Sequence, residues 1–170
     1  MALLPIIHVP DPLLRQVAAP VKEINADILR QLDDMAETMY DAPGIGLAAP
    51  QIGQMNRLIV MDCAKDDDAP ELWKMINPEI IGQSDELSKL EEGCLSIPDH
   101  VADVERPASV SARYMDVDGN VQEMQADGLL AACIQHEIDH LNGILFIDHL
   151  SRLKKNMIWR KVLKDARNQS

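Results

Sequence analysis

Two histidines stand four residues apart in the segment QHEIDH, residues 135–140, and a glutamate directly follows the first. Four residues of α-helix turn the chain through about 400°, so His136 and His140 would point the same way, one turn apart. That spacing lets two imidazoles bind adjacent positions of one Zn²⁺- or Fe²⁺-like ion, and Glu137 could reach a water that the metal activates. The segment therefore predicts a metal-binding helix.

Hydrolases with this spacing need a third protein ligand. The longer pattern HExxHxxGxxH fails because Phe146 stands where its third histidine belongs, and no glutamate follows Glu137. The remaining nearby candidates after the first histidine are Asp139, Asp148, His149 and Asp165. Asp139 lies on the wrong side of its helix to join the histidines. A third ligand from upstream is therefore expected.

Cys94, in the segment EGCLSIP (residues 92–98), is the upstream candidate. The glycine before it and the proline four residues later predict an irregular segment with exposed backbone. A thiolate with two imidazoles leaves a fourth position open for water, as catalytic metal sites require. The usual alternative for a free cysteine is a small buried apolar residue. That alternative is preferred for Cys63 and for Cys133, which suits a pocket wall.

The amino-acid composition indicates which class of protein the chain belongs to. The chain has 170 residues, which suits one domain, and its 46% apolar and 26% charged residues are ordinary for a globular protein. No apolar run approaches the roughly 18 residues of a membrane helix, and the start MALLP lacks the positive region of a signal peptide. Three widely spaced cysteines fit a reducing compartment, so a cytoplasmic location is expected.

Charge divides the chain into two segments. The net charge of −12 argues against general DNA binding. Residues 151–170 hold seven basic residues and one acidic residue, so this tail carries +6 and residues 1–150 carry −18. We expect a catalytic domain over residues 1–150 and a basic C-terminal helix over residues 151–170, packed on the same domain.

Hydrophobic periodicity predicts the elements that must position these residues. Asn25 can begin a helix over about 26–40, and Asp127 can cap a second over about 128–142. The second helix should be covered on both of its apolar faces. A third helix, from Ser151 to about Ala166, is expected to bury Leu153, Met157, Val162 and Trp159.

Strands are predicted between the helices, at residues 57–62, 72–77, 79–83, 101–106, 109–117 and 121–125. The turn dipeptide Asp118–Gly119 joins the last two as a hairpin. Strands in the middle and helices towards the ends indicate an α+β fold rather than a doubly wound sheet.

Three stretches stand together in one order: GIGLAAPQ at 44–51, EGCLS at 92–96 and QHEIDH at 135–140. In this order and at this spacing the sequence resembles the bacterial peptide deformylases, which remove the formyl group from nascent N-formylmethionyl chains. The resemblance extends to PDPLLR at 10–15 and covers most of the chain. It implies antiparallel β-sheets around a central helix that carries the HExxH motif, with an N-terminal and a C-terminal helix.

The resemblance also implies roles for individual residues. One divalent metal per chain, natively Fe²⁺ and alternatively Zn²⁺, Ni²⁺ or Co²⁺, would be held by Cys94, His136 and His140. Glu137 would be the general acid/base, while the Gln51 side chain and the Leu95 N–H would donate to the formyl oxygen. The residues that match substrate-binding positions of the family are Ile45, Gly46, Glu92, Leu129 and Cys133.

One position departs from the family pattern, because Val101 stands where many bacterial members have arginine. Arg106 matches a later family arginine. The expected partners are nascent N-formylmethionyl peptides and, through the basic tail, the ribosome. The tail could equally be a solvated helix face.

Three other functions fit parts of the pattern. An HExxH zinc peptidase of another type would cleave unformylated peptides. A protein with a structural metal would need a closed set of four ligands, and the sequence offers three good ones. A thiol hydrolase that uses Cys94 with His136 would stay active in the presence of a chelator.

Overall fold

The computed structural model describes residues 2–65 and 67–168. Residues 1, 66, 169 and 170 lie outside the described residues, and the last two belong to the predicted basic tail.

Three α-helices and seven β-strands make up the described fold. The helices are α1 (Ala26–Asp41), α2 (Gly128–Leu141) and α3 (Arg152–Asn168). The strands are β1 (Gly46–Ala48), β2 (Leu58–Met61), β3 (Trp73–Gln83), β4 (Leu87–Cys94), β5 (Ile97–Pro107), β6 (Ser109–Met115) and β7 (Val121–Asp127). This confirms the predicted α+β class, with strands in the middle and a helix near each end.

The strands form two sheets in which all neighbours are antiparallel. Five of them lie in the order β1-β2-β3-β6-β7, so β1 is at one edge, while β4 and β5 form a separate two-stranded hairpin. Helix α2 contacts β1, β2 and β7 of the larger sheet. The predicted metal-binding helix is therefore central, as expected.

Local signals in the sequence set the ends of the helices. The Asn25 side chain accepts a hydrogen bond from the Ile28 N–H at 3.0 Å, which satisfies a free amide at the start of α1. Asp127 occupies the N-cap position of α2, but its side chain makes no capping hydrogen bond, contrary to prediction. Helix α2 ends at Leu141, and Gly143, just beyond it, has a φ of +75° and would place a Cβ only 2.4 Å from the Arg15 carbonyl oxygen.

The strands differ from the prediction in two details. Residues 72–77 and 79–83 are parts of the single strand β3, because a register shift between Ile76 and Glu79 accommodates Asn77 and its positive φ of 52°. Strand β4, which leads to Cys94, was not predicted, because much of it is polar and half-exposed. At Cys94 itself the pairing of β4 with β5 has a register shift, just before a tight turn, so this segment is locally irregular as expected.

The core consists of three clusters of buried apolar residues. The first lies between the larger sheet and α2 and includes Ile134 and Ile59, and the second lies between α1 and β2 and includes Leu32 and Val60. The third cluster lies between the β4–β5 hairpin, the N-terminal segment before α1, the segment that follows α2, and helix α3. It includes Ile97 and Phe146. Helix α2 is thus covered on most sides, which holds its polar residues away from solvent.

Helix α3 packs on the third cluster through Val162, which is 6% exposed. The prediction for this helix was wrong for Leu153 and Met157, which are 72% and 51% exposed. Trp159 is partly buried. The buried face runs through Ile158, Trp159 and Val162, so residues 153 and 157 lie on the opposite side of the helix.

Among the described residues, none of the helices combines the length and the apolar character that a membrane crossing needs.

Candidate metal centre

The two histidines of α2 face the end of β4. One ligand atom from each of Cys94, His136 and His140 lies within 4.8 Å of the others, and the Cys94 Sγ is 3.2 Å from the His140 Nε2. The helical spacing of four residues puts the two imidazole centroids 5.0 Å apart. The predicted third ligand therefore comes to the histidines through the folding of the β4–β5 hairpin against α2.

Glu92 fixes the orientation of His136. Its Oε1 lies 2.9 Å from the His136 Nδ1, and its two oxygens accept hydrogen bonds from the Arg106 guanidinium at 2.7 and 3.0 Å. Burial raises the pKa of Glu92, but hydrogen bonds from His136 and Arg106 outweigh burial and lower it to about 2. An ionised carboxylate can only accept, so Nδ1 must carry the proton and Nε2 is left to bind a metal.

Arg106 continues this network to the far side of α2. Its Nη1 donates to the Asp139 carboxylate at 2.9 Å, and that carboxylate also lies 2.8 Å from the His149 Nε2. Asp139 is therefore directed away from the two histidine ligands, as the helical geometry predicts. Only 5% of the Arg106 side chain is exposed, and its carboxylate partners compensate for the burial of its charge.

The charges around the histidines fit a bound cation. Burial lowers the pKa of His136, but the charge of Glu137 and hydrogen bonds with Cys94 and Glu92 outweigh it and raise this pKa well above its usual value. A positive charge is thus favoured at His136. The pKa of His140 is well below its usual value because of burial and the nearby His136, so its imidazole is neutral, the form that binds metals.

Glu137 lies beside these ligands and is 4% exposed. Its Oε1 is buried without a hydrogen-bond partner among the described residues, and His140 Nδ1 is likewise without one. Burial raises the pKa of Glu137 to about 7, with the charge of Glu92 adding to the effect. An unpaired carboxylate with such a pKa can exchange a proton near neutral pH, which is what a general acid/base requires.

Gly46 allows Glu137 to occupy this position. A Cβ on Gly46 would lie 2.5 Å from the Glu137 Oε2 and 2.9 Å from the Cys133 Sγ. Any larger residue would push Glu137 or the strand aside. Gly46, the second glycine of the GIGLAAPQ segment, therefore has a steric role that its sequence context did not reveal.

Gln51 approaches the site from the other end of that segment. Its Oε1 accepts a hydrogen bond from the Ala48 N–H at 2.9 Å, and its Nε2 donates to the Ser96 hydroxyl at 3.1 Å. The same Nε2 lies 3.6 Å from the Cys94 Sγ. The amide is thus held with its donor end towards the candidate ligands, while Leu95 follows Cys94 in the turn between β4 and β5.

A cavity of about 770 Å³ opens onto these groups. The residues predicted to bind substrate all line it: Ile45, Gly46, Glu92, Leu129 and Cys133. Ile45 and Leu129 are 44% and 47% exposed, whereas Cys133 is 5% exposed. The cover expected on both apolar faces of the second helix is therefore incomplete at Leu129, which lies at the cavity opening in the first turn of α2.

Sequence reasoning missed the connections around the ligands. It gave Glu92 only a position near the substrate pocket, and it gave Arg106 no structural role. In the structure they form one buried ion pair beside His136. The signal that could have found the pair is strand alternation, since an acidic residue two positions before Cys94 lies on the same face of β4 as the thiol.

Comparisons with known proteins agree with this geometry. The family model described as polypeptide deformylase matches residues 3–156. A peptide deformylase from Mesorhizobium japonicum is 55% identical over 170 residues, which is 100% of this chain and 97% of the relative. One from Agrobacterium fabrum is 56% identical over 98% of this chain and 98% of its own.

Solved structures give the same result. The peptide deformylase from Ehrlichia chaffeensis superposes with a TM-score of 0.91 at 39% identity and covers 98% of both chains. That of Legionella pneumophila gives a TM-score of 0.89 at 44% identity, over 98% of this chain and 97% of its own. The Ehrlichia protein has also been solved in complex with actinonin, and that structure too has a TM-score of 0.91, over 97% of this chain and 98% of its own.

Proposed function

The chain belongs to the polypeptide deformylase family, and we propose that it is a metal-dependent hydrolase that removes the N-terminal formyl group from nascent N-formylmethionyl polypeptides and releases formate. The observation that carries this proposal is the meeting of Cys94, His136 and His140 beside the unpaired, buried carboxylate of Glu137. An HExxH peptidase of another type is not favoured, because the family match covers residues 3–156 and includes all these residues.

The three ligands would hold one divalent metal ion. Fe²⁺ is the proposed native ion, with Zn²⁺, Ni²⁺ and Co²⁺ as alternatives, since thiolate and imidazole ligands suit all four. When bound, the ion supplies a Lewis acid that lowers the pKa of water and polarises the formyl oxygen. The three ligand atoms, which lie within 4.8 Å of one another, and the raised pKa of His136 support a cation at this point.

Glu137 would act as the general acid/base. Its carboxylate accepts the proton of the attacking water and later delivers that proton to the amine that leaves with the peptide. The pKa of about 7 allows both directions of transfer near neutral pH. Burial of the carboxylate keeps bulk water from competing for the proton.

Gln51 and Leu95 would stabilise the charge that develops on the formyl oxygen. The Nε2 of Gln51 and the backbone N–H of Leu95 are the proposed donors. The hydrogen bonds that Gln51 makes with Ala48 and Ser96 hold its amide before substrate arrives. Preorganised donors of this kind typically contribute about 10²–10³ in rate.

The cavity would bind the methionine and the peptide backbone. Strand β1 is an edge of its sheet, so the backbone at Gly46 can pair with an extended peptide. Ile45, Leu129 and Cys133 offer apolar surface for an unbranched thioether side chain. Glu92 lines the same cavity, but because its oxygens contact Arg106 and His136, we propose that it positions His136 rather than touching the substrate.

The C-terminal helix could carry the protein to its substrate. We propose that the exposed face of α3, in which Leu153 and Met157 lie among basic residues, docks on the ribosome close to the emerging nascent chain. We propose a cytoplasmic location because the nascent chain is the substrate. The division into a catalytic domain, residues 1–150, and a basic C-terminal helix, residues 151–170, is part of the same proposal. Cationic contacts with RNA phosphates would make this binding steeply dependent on salt.

Substitutions test docking better than truncation, because removing α3 also removes the buried Val162. Reversing the charge at exposed Lys154, Lys161 and Lys164 should weaken ribosome binding and flatten its salt dependence. Activity on a short formyl peptide should not change. Ribosome binding equal to that of the unmodified protein would contradict docking through this helix.

Formate release from formyl-Met-Ala-Ser by the anaerobic, metal-loaded protein tests the proposed activity. We expect turnover that a chelator abolishes and that Glu137→Ala reduces by several orders of magnitude, while Glu123→Ala, an exposed control, retains it. Cleavage of unformylated peptides would support the peptidase instead. Activity that survives chelation would indicate the thiol hydrolase. Metal content that is retained without any activity would indicate a structural metal.

The iron form should also be sensitive to oxygen, because the metal is held by a thiolate. We expect aerobic handling to reduce the activity of the Fe²⁺ protein but to affect the Ni²⁺ protein much less. Mass spectrometry of Cys94 checks the chemistry independently of activity. An Fe²⁺ protein that stays fully active in air would contradict the assignment of iron.

A further inference from the structure

Two of the three cysteines meet where the pairing of β1 with β2 ends. There the Asp62 N–H donates a hydrogen bond to the Ile45 carbonyl oxygen at 2.9 Å. The thiol of Cys133, which belongs to α2, donates to the same oxygen at 3.6 Å. Cys63 directly follows Asp62 in the chain. The packing of α2 on the end of β2 therefore brings these two cysteines together.

The two thiols are in contact. A hydrogen bond joins them, and Cys63 packs against the first core cluster, to which Cys133 belongs. This hydrogen bond lowers the pKa of the Cys63 thiol, although burial and the charges of nearby carboxylates oppose the effect. The same bond and burial raise the pKa of Cys133 well above its usual value. Because the thiolate is the nucleophilic form, Cys63 is the thiol of the pair that reacts first.

Accessibility favours the same order of reaction. Cys63 is partly buried, whereas only 5% of Cys133 is exposed. The third cysteine, Cys94, lies elsewhere, against His140 and Gln51. A reachable thiol with a lowered pKa and a second thiol beside it is the arrangement that oxidants convert to a disulfide.

We propose that Cys63 and Cys133 form a peroxide-reactive dithiol, a modification site separate from the metal ligands, and that its closure into a disulfide weakens the binding of substrate. The disulfide depends on the two thiols alone. Its effect on substrate binding rests on the proposed function.

The oxidation takes two steps, with a peroxide as the oxidant. The Cys63 sulfur attacks one oxygen of hydrogen peroxide, the O–O bond breaks, and the other oxygen leaves as water with the thiol proton, which yields a sulfenic acid. The Cys133 sulfur then attacks the sulfur of Cys63, the S–O bond breaks, and the oxygen leaves as a second water with the Cys133 proton. The two thiols together lose two electrons, and the peroxide gains them.

Closure of the disulfide would act on the substrate cavity through Cys133. Cys133 and Ile45 both line that cavity. Once its sulfur is bonded to Cys63, Cys133 has no hydrogen to donate to the Ile45 carbonyl. Loss of one such hydrogen bond changes an equilibrium by about 2- to 10-fold, so KM for a formylmethionyl peptide should rise by about that factor. The effect on kcat should be smaller, because the metal ligands and Glu137 are chemically unchanged.

Oxidation of the Ni²⁺-loaded protein with a few equivalents of hydrogen peroxide tests the proposal, since this form is expected to resist oxidation at Cys94. Mass spectrometry of the digested protein should find the Cys63 peptide joined to the Cys133 peptide, and dithiothreitol should separate the two. KM for formyl-Met-Ala-Ser should rise on oxidation and return to its initial value on reduction.

Cys63→Ser is the control variant, because it keeps the approximate size of the side chain and a hydrogen-bond donor but cannot form the disulfide. Before oxidation its kinetics should equal those of the unmodified protein. After oxidation it should give no linked peptides and no reversible rise in KM. Any irreversible loss of activity, through methionine or Cys94, should be equal in both proteins, so the reversible difference isolates the dithiol.

Oxidation of Cys63 to a sulfinic acid while Cys133 remains a free thiol would overturn the proposal, and so would a disulfide that includes Cys94. Linked Cys63 and Cys133 peptides without a change in KM would overturn the effect on substrate binding. Failure to release formate before any oxidation would contradict the proposed function and, with it, the effect on KM. The linked peptides would still decide whether the dithiol reacts as proposed.

Discussion

Glu92 and His136 meet through a 2.9 Å contact between a carboxylate oxygen and Nδ1, inside a cluster that Arg106 closes from the other side. The contact fixes which nitrogen of His136 is free and how its ring is rotated. A helix alone could not do this, since an imidazole on a helix can still rotate about its side-chain bonds. The hairpin thus supplies both the proposed third ligand, Cys94, and the partner that orients His136.

Glu92→Gln tests this positioning role. The amide keeps the size of the side chain but presents an N–H₂ group to Arg106 or to His136, so the buried cluster loses a charge and an acceptor. We expect the metal dissociation constant to rise by about 10- to 100-fold and the free energy of unfolding to fall by about 3 kcal/mol. Chelator competition measures the first effect, and urea unfolding measures the second.

Glu123→Gln is the matched control, because Glu123 pairs with Arg113 at the surface, where the two side chains are 56% and 47% exposed. It should change the free energy of unfolding by less than about 1 kcal/mol and leave the metal affinity unaltered. A Glu92→Gln protein that binds metal as tightly as the control would show that the ring of His136 does not depend on Glu92.

Gly46→Ala should displace Glu137. The added methyl would lie 2.5 Å from the Glu137 Oε2, well inside contact distance, so the carboxylate or strand β1 must move. A displacement of about 1 Å can cost about 10²-fold in rate, and we expect kcat to fall by at least that factor, with metal content unchanged. Steady-state kinetics measures the fall in kcat, and metal analysis shows whether the metal content is unchanged.

Gly82→Ala provides the comparison for that substitution. A Cβ at Gly82 meets its nearest neighbour, Ser111, at 3.7 Å, an ordinary contact, and the residue lies in β3 outside the cavity lining. The Gly82→Ala protein should be as active as the unmodified protein. If Gly46→Ala were equally active, the close approach of Gly46 to Glu137 would be irrelevant to catalysis.

Gln51→Glu should remove a donor while keeping an acceptor. The new carboxylate can still accept from the Ala48 N–H, but it cannot donate towards the formyl oxygen, and it places a negative charge near the Cys94 sulfur. We expect kcat to fall by about 10²–10³ with a smaller change in KM. Gln54→Glu, at an exposed position just beyond, is the control; similar kinetics for both variants would argue against Gln51 as a donor.

Asp148 should make stability depend on acid pH. Burial raises its pKa, but hydrogen bonds from Arg15 and Lys155 outweigh burial and lower it from 3.8 to about 2. The folded pKa lies below the unfolded one, so the unfolded chain binds more protons between these values and stability falls with decreasing pH. The contribution is complete above about pH 4 and is lost towards pH 2.

Because Asp148 is partly exposed, we expect this contribution to be about 1–2 kcal/mol. Urea unfolding of the unmodified protein and of Asp148→Asn at pH 6, 4 and 3 measures it. The difference between the two proteins should be largest at pH 6 and should shrink at pH 3. A difference that stays constant over this range would exclude the ion pairs of Asp148 as its source.

The sequence by itself determined the elements with strong local signals. Helix α2 and its two histidines followed from a spacing of four residues, and α1 followed from Asn25 and a clear apolar period. The β6–β7 hairpin followed from the Asp118–Gly119 turn. Each of these depends on residues that are close in the chain, so local preference and tertiary structure agree.

Cys94 was selected as the candidate third ligand by elimination, but the strand that carries it was not predicted. Strand β4 carries polar residues along much of its length, and such a strand in a two-stranded hairpin gives little periodic signal. The burial of α3 was misassigned because Leu153, Met157 and Val162 are all apolar, and only contact with the third core cluster selects Val162.

The tertiary structure alone decided how the site is held together. Cys94 and His140 are 46 positions apart in the chain, and Glu92 and Arg106 are 14 apart, so their contacts depend on how the hairpin packs on α2. The space that Gly46 leaves for Glu137 likewise depends on a long-range contact, the packing of β1 on α2. Chemistry-bearing residues can be recognised by type and spacing, whereas their orientation is set by long-range contacts that no local pattern encodes.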